Sequence, residues 1–292
     1  MQSSGIKKTT GGDIFIIILM VLLIILCILP IMNVVATAFS SPGAVSRQDV
    51  AFFPVEFQAD SIRTVINDGR FMRSLAWTAM LTVIVVVVNL IMTILCAYPL
   101  TYMSLKGRKI ISFFIVFTMI FSAGLIPTFV LFRDLNLINN PLVLILPGMI
   151  SVFNMVIIRN FFLGIPDSLR ESAEMDGAGP FTILVRIYLP LSTPVLATVG
   201  LFYGVGRWNG FQDALFFLTA APDWHPIQLL LYNILQNIVA VDPLDPGASM
   251  PPGWGPTVQA AAIVVATFPI LCVYPFLQKY FVQGATLGAV KG

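Results

Sequence analysis

Leu75-Ala-Trp-Thr-Ala-Met-Leu-Thr-Val-Ile-Val-Val-Val-Val-Asn-Leu-Ile-Met-Thr-Ile-Leu-Cys-Ala-Tyr-Pro-Leu100 contains no charged residue, and Asn89 is its only amide side chain. As a helix it would cover about 39 Å, enough to cross the roughly 30 Å hydrocarbon core of a bilayer. In lipid every backbone polar group must be satisfied internally, which leaves a helix bundle or a closed barrel. A barrel strand would be about ten residues long and alternate in polarity. This run is long and unalternating, so it predicts a helix.

Five further stretches have the same character: about 14–38, 110–132, 141–162, 187–205 and 260–280. The predicted fold is therefore all-α, a polytopic membrane bundle of six transmembrane helices. One membrane domain is expected over 14–281, with an N-terminal stretch 1–13, a loop at about 163–186 and a tail at 282–292. The first span carries Lys7 and Lys8 on its flank, as a signal peptide does. Its apolar run is too long for a typical signal core and ends in no small-residue cleavage site, so it reads as a retained helix.

Composition agrees. The 292 residues are 58% apolar and 10% charged, with a mean hydropathy of +0.92. These values exclude a cytosolic enzyme, a secreted disulfide scaffold and a disordered tail. A net charge of +2 without a long basic run excludes nucleic-acid binding. Cys27, Cys96 and Cys272 lie in apolar stretches at spacings that fit no metal site, and read as small hydrophobes.

With six spans both termini share one side. Ten of the sixteen Lys and Arg residues then fall on that side, which makes it cytoplasmic. The opposite side carries two long segments, about 39–73 and 206–259. The first mixes Arg47, Arg63, Arg70 and Arg73 with Asp49, Glu56, Asp60 and Asp68, which predicts a small folded piece. The second includes Asp242–Pro256, whose five prolines read as an irregular loop.

Several chemistries are missing. The spans hold no ionisable relay of the kind that proton- and ion-coupled carriers need. No G-x-x-x-x-G-K-[ST] stretch is present, so energy from ATP would have to come from a partner. No catalytic constellation stands out. His225, between Trp224 and Pro226, is the single histidine and reads as an ordinary loop residue.

The most structured signal is the loop Ile165-Pro-Asp-Ser-Leu-Arg-Glu171-Ser-Ala-Glu-Met-Asp176-Gly177-Ala-Gly-Pro180. Pro166 suits a first helical turn, and Asp167 and Glu171 favour the positive end of a helix. Gly177 suits the left-handed position that ends one. Pro180 suits the start of the next helix, expected to run rigidly into span five. A helix this short needs a docking surface. Leu169, Ala173 and Asp176 share a face, which would meet either another protein or the chain's own bundle.

Glu171-Ser172-Ala173, Gly177, nine residues, then Ile187-Tyr-Leu189-Pro190 resembles the EAA motif of membrane-spanning subunits of bacterial ABC importers. Ser172 is the one departure, small for small. Ile165-Pro166, Asp176-Gly177-Ala178, Trp208-Asn209-x-Phe211 and the stretch from Pro269 to Gly292 are similar to the carbohydrate-type branch of that family. The resemblance covers almost the whole chain.

It implies a type I ABC importer permease in the bacterial cytoplasmic membrane. Such a chain would be half of a translocation path for an oligosaccharide or polysaccharide, paired with a second permease subunit. Two cytoplasmic ATPase subunits, where ATP and Mg bind, would dock on the coupling loops. An extracytoplasmic solute-binding protein would deliver cargo. This chain would bind no cofactor and catalyse nothing. Coupling would fall to Glu171, Ser172, Ala173, Asp176, Gly177, Ile187, Leu189 and Pro190. A sugar path needs aromatics and neutral hydrogen-bonding groups, and Asn89, Asn154, Tyr203, Trp208 and Asn209 are its candidates. The alternative is a membrane-embedded enzyme or structural subunit acting on lipid-linked sugars.

Overall fold

The structure is a computed structural model that describes residues 11–236 and 254–289, of which 274 and 276–289 are described by their backbone. The first ten residues, most of the proline-rich stretch and the last three residues of the tail lie outside the described residues. The chain divides into two compact units, Met1–Gly69 with Asn233–Thr267, and Arg70–Tyr232 with Phe268–Gly292.

In the first unit, helix α1 spans Gly11–Ala38. Every large apolar side chain from Ile14 to Leu26 is exposed, as a lipid-facing helix requires. The chain then folds into a tight segment holding helix α2, Pro42–Ser46, and is followed by helix α3, Asp60–Asn67. Ser41 caps α2 by accepting the Ala44 N–H at 3.1 Å, and its hydroxyl donates to the Glu56 carboxylate. The ends of the segment are joined by the Gln58 N–H to the Phe39 carbonyl at 3.0 Å. The small folded piece expected after span one is thus present.

Helix α4, Gly69–Ala97, begins a turn and a half earlier than its apolar run. Its buried stripe is Phe71, Ser74, Thr78, Leu81, Val85, Asn89, Thr93 and Ala97, at helical spacing. Met80, Val83, Val87, Ile91 and Leu95 face outward. The polar half of the stripe has partners. Thr78 Oγ1 accepts the Ile227 N–H at 2.7 Å, and Ser74 donates to the His225 carbonyl at 2.8 Å. The Trp77 indole donates to the Trp224 carbonyl at 2.9 Å. His225 Nε2 donates to the Leu218 carbonyl at 2.7 Å, a local tie within the same loop.

The third span is not one helix. Helix α5, Arg108–Ile120, and helix α6, Leu125–Asp134, meet at 114°. Gly124 takes φ +86°, a left-handed value that interrupts the helix, and Pro127 brings no N–H to the new first turn. The fourth span begins as 3-10 turns over Pro141–Leu144 and Leu146–Gly148, then bends by 44° into helix α7, Val152–Leu163.

After α7 come helix α8, Asp167–Met175, then helix α9, Pro180–Ile183, a π-helical turn over Leu184–Tyr188, helix α10, Leu189–Leu191, and helix α11, Thr193–Asn209. The expected rigid run from Pro180 into span five is absent, because Pro180–Leu191 and α11 meet at 83°. Two prolines explain the break. Pro190 has no N–H to return to Arg186, and the preceding Leu189 N–H reaches back to Leu184 instead. Pro194 has none to return to Pro190, whose carbonyl is taken by the Thr193 hydroxyl at 2.9 Å. Helix α12, Gln212–Phe217, helix α13, Ile227–Leu235, and helix α14, Pro256–Ala289, complete the order.

Among the described residues three helices are long and apolar enough to cross a membrane, or up to six spans if each bent pair counts as one. The all-α bundle read from the sequence is the fold.

Candidate functional site

Two features of the second unit are candidates, the loop at α8 and a cavity beside α4. The Gly177 N–H donates to the Glu174 carbonyl at 3.0 Å and the Ala178 N–H to the Ala173 carbonyl at 2.9 Å. Gly177 itself sits at φ +80°. These bonds satisfy carbonyls that a helix end leaves open, and they stop α8 after nine residues.

The chain's own bundle takes one face of this helix. Ala173 is half-buried against the core that holds Tyr98, Phe162 and Tyr188, whose rings meet edge to face at 5.1–6.3 Å. Arg170 lies over the Tyr102 ring at 5.1 Å and pairs with Asp167 at 3.0 Å and, more loosely, Glu174 at 3.7 Å. On a helical wheel the opposite face carries Ser168, Glu171, Ser172 and Met175, and all four are exposed. Met175 is 88% exposed. The face assigned from spacing to Leu169, Ala173 and Asp176 is therefore split. Ala173 turns inward, while Leu169 and Asp176 stay exposed.

Ile187 and Leu189 pack beneath the loop, against the same core as Ala173, and Pro190 is exposed. The Tyr98 hydroxyl donates to the Pro180 carbonyl at 3.0 Å and lies 2.6 Å from the Tyr102 hydroxyl. The end of α4 is thereby tied to the chain just beyond the loop. Arg170, Tyr98 and Tyr102 were not among the sequence candidates. The signal for Arg170 was its i, i+3 and i, i+4 spacing to acids. For the tyrosines no local signal exists, since Tyr98 and Pro180 are far apart in the chain.

The cavity measures about 710 Å³ and is walled by α4, α6, the N-terminal end of α7, α11 and the turn into α12. Asn89, Asn154, Tyr203 and Asn209 all line it, and Trp208 does not. Trp208 is buried instead, with its indole N–H unpartnered among the described residues.

The amide of Asn89 donates to the Gly148 carbonyl at 2.9 Å. Its Oδ1 is buried without a partner among the described residues. The Tyr203 hydroxyl accepts the Ser151 N–H at 3.0 Å and lies 2.7 Å from Thr93 Oγ1. It therefore fixes three segments to one another. Asn209 turns back onto its own helix, donating to the Val205 carbonyl at 3.0 Å.

Arg207 and Asp213 are the charged residues of the wall. The guanidinium grips Asp213 with both terminal nitrogens, at 2.5 and 3.1 Å, and donates also to the Gly210 carbonyl at 2.8 Å. Arg207 reads from the sequence as an outer-loop charge. In the fold it is 8% exposed and closes the cavity wall. The wall thus offers amides, aromatic rings and one neutralised ion pair, a surface suited to hydroxyl-rich cargo.

Residues 90–286 match the family described as Binding-protein-dependent transport system inner membrane component. The polygalacturonan/rhamnogalacturonan transport system permease protein YtcP of Bacillus subtilis (strain 168) is 41% identical over 268 residues, covering 91% of this chain and 93% of that protein. The arabinooligosaccharides transport system permease protein AraQ of Halalkalibacterium halodurans is 25% identical over 274 residues, covering 91% of each. A chain from the crystal structure of a bacterial ABC transporter involved in the import of the acidic polysaccharide alginate superimposes with a TM-score of 0.84. It is 35% identical, and the match covers 94% of this chain and 99% of that one. With two thirds of its length inside the family match and nearly all of it superimposing on a chain of a solved ABC transporter, this protein belongs to the inner membrane components of binding-protein-dependent transport systems.

Proposed function

We propose that this chain forms one half of the translocation path of an ATP-driven importer for acidic oligosaccharides, handed over by a solute-binding protein. The observation that carries the substrate class is the strong likeness, along nearly the whole chain, to a permease named for polygalacturonan/rhamnogalacturonan transport and to a chain of an ABC transporter involved in the import of alginate. The cavity is compatible with such cargo. Its acid, Asp213, is held by Arg207, so no free carboxylate on the wall repels a uronate chain.

In this reading a second permease subunit supplies the other half of the path. Two ATPase subunits bind ATP and Mg and grip α8 from the cytoplasm through Ser168, Glu171, Ser172 and Met175. Ile187 and Leu189 act from beneath, holding the loop against the bundle. Both termini lie in the cytoplasm. This chain contributes no nucleotide site.

Uptake by a strain lacking the chain tests the proposal. Complementation with the native sequence should restore uptake of labelled oligogalacturonate and leave uptake of a neutral oligosaccharide unchanged. Restoration of the neutral sugar alone would overturn the substrate class. Purification of the tagged chain with no ATPase attached would overturn the coupling role of α8.

A further inference from the structure

From Ile14 to Met32, nineteen residues of α1 carry only apolar side chains, and Asn33 follows. Those nineteen residues rise about 28 Å, close to the thickness of the hydrocarbon core, which sets Asn33 at its border. The helix runs on for five residues, roughly 7–8 Å further, to Ala38. The segment after it does not continue outward. Asn33 Nδ2 donates to the Ala51 carbonyl at 2.7 Å, so the tip of the segment is brought back to the level of Asn33. The next two residues are Phe52 and Phe53, 43% and 74% exposed. Phe57, 72% exposed, stacks on Phe39 at 5.6 Å.

We infer that the tip at Phe52 and Phe53 is an interfacial anchor, inserted into the headgroup–acyl boundary of the leaflet in which α1 ends. Three observations fix lipid as the occupant. The tip lies at the depth where the apolar run of α1 stops. It is continuous with a helix whose large side chains are exposed over its first half. It is also held rigidly, by the Ser41–Val55 and Phe39–Gln58 backbone bonds and the Asn33 amide, so that large apolar rings face outward at little further entropic cost. The inference does not depend on the substrate or on which side of the membrane the termini lie.

The whole transporter, carrying Phe53→Trp, is reconstituted in nanodiscs of phosphatidylcholine brominated near the upper part of the acyl chains and compared with the native sequence in the same lipid. The added tryptophan emission should be largely lost to bromine quenching, and Asn33→Leu in the same background should restore much of it by freeing the tip. Added emission that is unquenched and red-shifted places the residue in water and overturns the inference. Added emission that is unquenched and blue-shifted places it against another polypeptide and overturns it equally. Phe52→Trp is the second probe if Phe53→Trp disturbs assembly.

Discussion

Arg207 and Asp213 face each other across the break at Gly210, joined by two parallel hydrogen bonds at the wall of the cavity. The arginine side chain is nearly buried and the aspartate about one third exposed. Removing one partner leaves a charge with too little compensation. Asp213→Asn or Arg207→Met should therefore destabilise the chain by about 2–3 kcal/mol, below the usual range for a fully buried pair because water reaches Asp213. The double variant Arg207→Met/Asp213→Leu should lose less than either single one. Thermal unfolding in detergent, followed by reaction of the half-buried Cys96 with a thiol dye in a background where the exposed Cys27 and Cys272 are replaced by serine, would check the order.

Tyr203 and Asn89 line the same cavity, yet the fold uses them differently. Tyr203→Phe removes the acceptor of the Ser151 N–H and the partner of Thr93. It should cost about 1–3 kcal/mol of stability and leave the apparent KM for uptake nearly unchanged. Asn89→Ala frees the Gly148 carbonyl and removes the buried, unpartnered Oδ1. Its main effect should be a several-fold rise in KM, with a smaller stability loss of about 1 kcal/mol. Equal effects of both variants on KM would mean that Tyr203 also touches cargo.

The two variants mark a division in what could be read in advance. The spans at 14–38 and 75–100 were legible because an uninterrupted apolar run has only one inexpensive solution in lipid. The breaks at Gly124 and Ser192 were not. Membrane helices tolerate proline and glycine, so Pro127, Pro190 and Pro194 did not announce bends of 114° and 83°. Gly177 was legible because its requirement is local. The Arg207–Asp213 pair was not, because Asp213 reaches Arg207 only after α11 has ended and the chain has turned. Trp208 illustrates the limit from the other side. A neighbour of two cavity residues in sequence, it points to a different surface, since adjacent positions on a helix lie about 100° apart.

Gly177 gives a test of the loop that separates backbone from contact. A Cβ placed there meets nothing within 4 Å, so space is not the constraint, and φ +80° is. Gly177→Ala should fray the end of α8 at a cost of about 1 kcal/mol, and Gly177→Asn, which tolerates the left-handed region, should cost less. Glu171→Lys leaves the backbone alone and reverses a charge on the exposed face. Hydrogen exchange of residues 170–178 should rise in the alanine variant only. Substrate-stimulated ATP hydrolysis by the assembled transporter should fall in both the alanine and the lysine variants. Normal hydrolysis in Glu171→Lys would remove that residue from the docking face.

The segment after α1 carries a pH dependence of definite sign. The Ser41 hydroxyl, and next to it the Arg47 guanidinium, hold the Glu56 carboxyl below its ordinary value, while Asp49 and Glu56 hold Arg47 above its own. A carboxyl depressed in the folded state contributes stability that is fully present above the ordinary value of about 4.3 and disappears as the pH falls through the depressed one. The groups are exposed, so the effect is local and small, and global unfolding will not report it. Hydrogen exchange over residues 40–58, corrected for the intrinsic rate, should show protection that is constant from neutral pH down to the ordinary glutamate range and falls below it. Glu56→Gln has no carboxyl to protonate and should show no such step. Because the same segment presents Phe52 and Phe53, acid that loosens it should also reduce bromine quenching at Phe53→Trp, and the two measurements should change over the same pH interval.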